Sequence, residues 1–319
     1  MKIFSKSILF LAALGGLTRA ALACSECGCS LSSDWAALGF NSTAGLQAGF
    51  RFEYYEQADL RSGPGRVGRA ALAFPNDREI QQRTLNRNTW LELNYATGPS
   101  WSVALQVPYH DRFHTTIVDG DTDISTSQAN GLGDVRLLVR YQLDRAASHS
   151  WSVQFGLKLP TGRFDQTFAE GPQAGELLDR GLQLGTGTTN LLAGLSWFAR
   201  PAVNLGSFAQ LSLDLPLAAR AGFLPSTSLN LSGGVRWLNP SRFTPQLQLN
   251  VKFENREHGP EADTANSGST MAYLSPGVTA ELGRGSTAFV FVQLPVYQHV
   301  NGLQLEPRWL LSLGFRHSF

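Results

Sequence analysis

Charge is scarce in this chain. Only 16% of its 319 residues are Asp, Glu, Lys or Arg, against about 25% in an average soluble domain. A soluble globule of this length would need more ions to cover its surface. The charge present nearly cancels, 26 basic against 25 acidic residues. With no basic run either, nucleic acid has no electrostatic reason to bind. Long apolar runs are also missing: beyond the N-terminus no stretch approaches the ~20 residues of a membrane-spanning helix. Neither a Ser-His-acid order, nor paired catalytic carboxylates, nor a phosphate loop stands out, so a non-enzymatic protein is expected. Disorder is excluded by a hydrophobic content of 43%.

The N-terminus is built for export. Lys2 and Lys6 form a positive region, Ile8 to Leu17 an apolar one, and Ala21-Leu22-Ala23 a small-residue cleavage site. Residues 1–23 therefore read as a secretory signal peptide, too short in its apolar part to span a bilayer. Loss of Lys2, Lys6 and Arg19 takes the net charge from +1 to −2.

Cysteine is confined to Cys24, Cys27 and Cys29, in the segment 24–42 that follows. Haem attachment would need Cys-x-x-Cys-His, and Gly28 stands where the histidine should be. A structural zinc site usually takes four ligands, one more than these thiolates supply. Three readings stand side by side: a Cys24–Cys27 disulfide in an oxidising periplasm, Cu or Zn held with a fourth ligand from elsewhere, and acylation of Cys24. With metal or redox chemistry there, the barrel described next would anchor or sheathe a periplasmic redox partner. The segment, with Trp35 and Phe40, is also long enough to enter a lumen as a plug.

From residue 43 to 319 the pattern has period two, the mark of strands with one apolar and one polar face. Leu247, Leu249, Val251 and Phe253 alternate with Gln246, Gln248, Asn250, Lys252 and Glu254. Twelve such runs lie near 43–55, 84–96, 101–109, 132–143, 151–159, 189–198, 207–217, 227–238, 244–255, 271–282, 287–298 and 307–319. Short polar turns alternate with longer connections, which are expected at 56–83, 110–131, 160–188, 218–226, 256–270 and 299–306. An even strand count, with short turns on one side and long loops on the other, matches a transmembrane antiparallel up-and-down β-barrel of the outer membrane. Lipid and lipopolysaccharide are then its surroundings, and a monomer is expected.

A soluble β-sandwich also alternates, so other features decide. Trp101, Trp151, Trp237 and Trp309 fall at run ends, where an interfacial girdle would lie. The polar phase carries Arg51, Glu92, Asp134, Arg136, Arg140, Lys158, Asp214, Arg236, Lys252, Arg308 and Arg316, ions that would be costly in a dry core. They are expected to line the lumen and to screen solutes by size and sign. The last run ends in Phe319, similar to the signal by which such barrels are recognised for insertion.

His110, His114, His258 and His299 fall on or beside expected outer loops and read as solvated surface. Asp119, Asp121 and Asp123 imitate part of a calcium loop, but Ile124 replaces its glycine. That leaves weak divalent binding, or a metal bridge to lipopolysaccharide.

Three segments carry a family resemblance: Gly131-Leu132-Gly133-Asp134-Val135-Arg136, Leu157-Lys158-Leu159-Pro160-Thr161-Gly162 and Leu184-Gly185-Thr186-Gly187-Thr188-Thr189-Asn190. In order and spacing they resemble the meta-pathway phenol-degradation family of outer-membrane proteins. The resemblance implies a channel or transporter passing small aromatic or other apolar solutes by diffusion; it identifies no particular substrate.

Overall fold

The alternation folds as a closed all-β barrel. The computed structural model describes residues 44–146, 148–238 and 241–319. The expected signal peptide, the three cysteines and the plug segment lie outside the described residues. The strands are β1 (Gly45–Gly63), β2 (Gly65–Arg66), β3 (Ile80–Ala96), β4 (Trp101–Ile117), β5 (Ser125–Leu132), β6 (Val135–Arg145) and β7 (His149–Leu159). They continue with β8 (Asn190–Ala202), β9 (Leu205–Pro216), β10 (Ser228–Trp237), β11 (Phe243–Glu254), β12 (Ser269–Gly283) and β13 (Ser286–Ser318).

All pairings are antiparallel. β2 is a flap on β1, and β5 and β6 both pair with β4, forming one stave broken at Gly133 and Asp134. β13 doubles back at Gly302, whose φ of 62° suits glycine. Residues 286–300 pair with β12, and residues 300–318 pair with β1. The two legs lie side by side, since Ser318 N–H donates to Gly285 O at 3.0 Å. Pairing of β13 with β1 closes the ring of eleven elements. With both legs of β13 counted, twelve staves surround the lumen.

Alternation sorts the two faces. On β3, Leu91, Leu93 and Tyr95 are exposed, while Trp90 is buried inside. Lipid would cover the exposed row. Trp101, Trp151 and Trp237 are exposed near the short turns, and Tyr109 and Trp309 near the long connections. The aromatics meet across strands, Trp101 with Tyr141 at 4.6 Å and Trp151 with Trp197 at 6.2 Å. From Trp101 to Tyr109 along β4, a ~3.4 Å rise per residue and a ~40° tilt give about 21 Å. That approaches the ~25 Å apolar band of such barrels.

The staves outrun their expected ends. β1 continues to Gly63, β3 starts at Ile80, β4 reaches Ile117, and β5 lies inside the expected loop 110–131 except for Leu132. Beyond the aromatic belt the outer face turns polar: Arg83 pairs with Glu56, and Arg87 with Asp111 at 2.8 Å. Apolar–polar alternation ends where the lipid ends, although hydrogen-bonded pairing does not.

Two packings fill part of the interior. Tyr55, Met271, Tyr273, Val300 and Leu310 form a buried cluster on the β1, β12 and β13 side, with Phe289 and Phe291 at 5.6 Å from one another. The connection 160–189 turns inward, and its Phe168, Leu178, Leu182 and Leu184 pack on Ala129 of β5. Open space is left on the opposite side.

Candidate functional site

That space is a cavity of about 350 Å3, lined from β1 round to β11 and by Arg316 of β13. The inward phase of each strand makes the lining polar, as the pleat requires when the other phase is apolar. Of the expected lumen ions, Glu92, Asp134, Arg136, Arg140, Lys158, Asp214, Lys252 and Arg316 line it.

The other three are placed elsewhere. Arg51 lies behind the lining, donating to Glu53 at 2.8 Å and standing 3.9 Å from Glu92. Arg236 is buried near the short-turn end, outside the cavity lining. Arg308 is exposed and grips Asp59 with Nε and Nη2 at 2.8–3.1 Å. Register shifts between Tyr55 and Asp59 disturb the two-residue phase at that height, so parity alone misplaces it.

Trp90 sits at the centre of one wall. The Arg51 and Arg136 guanidinium carbons each lie 5.0 Å from its ring centroid, within cation–π range. Its indole N–H donates to Glu53 Oε2 at 3.3 Å. Across the cavity Arg136 and Lys158 share Asp214, at 4.0 and 3.9 Å. Asp214 also accepts from the Asn190 amide. Lys252 pairs with Glu254 at 3.1 Å, and Arg316 donates to Gln47 at 3.3 Å.

The three segments behind the family resemblance meet in one knot. Asp134 Oδ1 accepts from Gly162 N–H at 3.0 Å, and Oδ2 from Thr186 N–H at 2.9 Å and Thr186 Oγ1 at 2.8 Å. Thr161 Oγ1 donates to Gly133 O at 2.8 Å and accepts from Val135 N–H at 2.9 Å. A Cβ on Gly162 would stand 2.7 Å from Gly185 Cα, so only glycine allows the two backbones this approach. The knot pins the inward loop, which contributes Arg180, Gln183, Leu184, Gly185 and Thr186 to the lining. Asp134 thus touches the cavity, but its oxygens serve loop hydrogen bonds.

Sequence reasoning missed several lining residues. Glu53, Trp90 and Glu254 lie in the same phase as Arg51, Glu92 and Lys252, so the signal was present. Arg112, His110 and His114 were placed in or beside a loop, whereas all three sit on β4. Arg112 donates to Asn86 Oδ1 at 2.8 Å and to Gly181 O at 2.9 Å. His114 is fully buried, with Nδ1 2.8 Å from Thr84 Oγ1. His110 contacts Asn88 at 2.7 Å. The solvated-surface reading of these two histidines is therefore corrected, because pairing carries β4 past residue 109. Among the described residues, no group of three or more His, Cys, Asp or Glu is disposed to hold a metal ion. That includes Asp119, Asp121 and Asp123.

These features define the class: an antiparallel barrel of the outer-membrane type, with a polar, partly filled lumen. A solved structure agrees on the fold. An outer-membrane channel from Pseudomonas putida F1 superposes with a TM-score of 0.64 at 10% identity, over 87% of this chain and 97% of that one. The toluene transporter of Ralstonia pickettii aligns at a TM-score of 0.43 and 11% identity, over 93% and 95% of the two chains. A KdgM porin aligns at 0.43 and 9%, over 85% and 99%. No protein-family model matches the chain, and no curated protein matches it. The likeness is therefore one of fold.

Proposed function

We propose that this protein is an outer-membrane channel through which small solutes diffuse. The observation that carries the reading is the polar cavity inside a closed barrel whose outer face is apolar. A soluble sandwich has no use for that inversion. Twelve staves lie between side-chain-filled eight-stranded barrels and the wide sixteen-stranded porins, and the inward loop narrows the route further. Small aromatic solutes are the finer reading: the resemblance implies them, and Trp90 and Tyr55 place aromatic surface on the lining.

Proteoliposome swelling tests the proposal. Vesicles carrying the protein should swell in small solutes and slow sharply as solute size rises. Swelling no faster than that of protein-free vesicles, for every solute down to glycerol, would overturn it.

A further inference from the structure

The lining is unbalanced in sign. Seven Lys and Arg side chains face the cavity against five Asp and Glu. All five carboxylates have partners: Glu53 accepts from Arg51 and Trp90, Asp134 accepts from Gly162 and Thr186, Glu254 pairs with Lys252, Glu92 stands 3.9 Å from Arg51, and Asp214 accepts from Asn190. The imbalance is sharpest at Arg136 and Lys158, which are register partners on β6 and β7 and project from the same face. They share one carboxylate, Asp214, at distances too long for hydrogen bonds. Arg136 Nε is also buried without a hydrogen-bond partner, a donor whose desolvation is uncompensated. Two cations facing one distant carboxylate make a half-filled anion site.

We infer that Arg136 and Lys158 form an anion-binding station in the lumen, taking the carboxylate of a small organic acid and making the route anion-selective. The inference rests on the channel reading and adds the substrate class. A carboxylate there would replace the two long contacts to Asp214 with charge-assisted hydrogen bonds of ordinary length. Cations lining a narrow, low-dielectric passage also concentrate anions within it. The cavity volume of about 350 Å3 accommodates an acid the size of benzoate. Asp214 competes with the incoming carboxylate and sets how tightly it is held.

The test uses benzoate and its uncharged counterpart benzyl alcohol as probes, on the full mature chain. In planar bilayers under a tenfold KCl gradient, the reversal potential should take the sign of chloride selectivity. Arg136→Gln with Lys158→Gln should move it towards zero or past it. Cation selectivity in the parent would overturn the inference and leave the channel reading intact.

Binding to the detergent-solubilised protein is measured separately by calorimetry, so a failure to conduct does not mask the result. Benzoate affinity should fall at least tenfold in the double variant and rise in Asp214→Asn, while benzyl alcohol should show no such ordering. Equal benzoate affinity in parent and double variant, or no benzoate binding to the parent, would overturn the station. A protein that binds benzoate in the expected order but conducts neither with nor without residues 24–42 would keep the station and overturn the channel.

Discussion

Asp134 Oδ2 holds both the backbone N–H and the hydroxyl of Thr186, at 2.9 and 2.8 Å. The pair ties the break between β5 and β6 to the inward loop 160–189, fifty-two residues further along the chain. Bonds to a charged acceptor contribute roughly 1.5–3 kcal/mol each. Asp134→Ala removes three of them and should free the loop, raising single-channel conductance and its fluctuations. Unchanged conductance would mean that the loop does not limit the passage.

The lipid face gives a prediction about stability. Leu249 is exposed on β11, between Gly233 and Leu274 in register. Leu249→Arg should cost about 2–4 kcal/mol near the bilayer midplane, read as a lowered urea midpoint in liposomes. A variant that unfolds with the parent would reverse the assignment of faces.

Inside the barrel, an added methyl group should be harmful where glycine yields to a ring. A Cβ on Gly277 would overlap the Phe291 ring. Gly277→Ala should therefore destabilise the barrel by about 1–3 kcal/mol. The smaller ring-free partner in Gly277→Ala/Phe291→Leu should recover part of that loss. No difference between the single and double variants would show that the pair is not tightly packed.

The outer loops should respond to pH. Burial pushes Asp263 up to about 7, against the stabilising donors of Asn266, and the charge of Glu79 raises it further. Burial also raises Asp179, with Glu79, Asp263 and Glu257 adding like charge; His114 Nε2 stands 3.9 Å from Glu79. A carboxyl raised above its unfolded value of about 3.9 stabilises the protonated fold. That contribution is complete below pH ~4 and is lost as pH rises through about 7. Hydrogen exchange in 160–189 and 255–268, corrected for intrinsic rates, should be slower at pH 5 than at pH 8. Asp263→Asn should flatten the difference. Equal protection at both values, or better protection at pH 8, would contradict this.

The sequence displayed the barrel wherever lipid meets one face. Leu91, Leu93 and Tyr95 against Glu92 and Asn94 fix both the strand and its orientation. Arg112, His110 and His114 escaped because above the bilayer Asp111 and Thr115 interrupt the apolar phase of Tyr109, Phe113 and Ile117 on β4, and period two weakens. Arg308 was misplaced by a shift in register that leaves no trace in composition. Asp134 was expected among the lumen ions, but its role depends on loop residues 28 and 52 positions away. No periodicity reports a partner at that distance.

Single-channel recording in planar bilayers tests the central claim most directly, with residues 24–319 beside residues 43–319. The account predicts discrete conductance steps from the shortened protein, and the same or smaller steps from the parent. Silence from both, in vesicles shown to contain folded barrel, would contradict a diffusion route through the lumen.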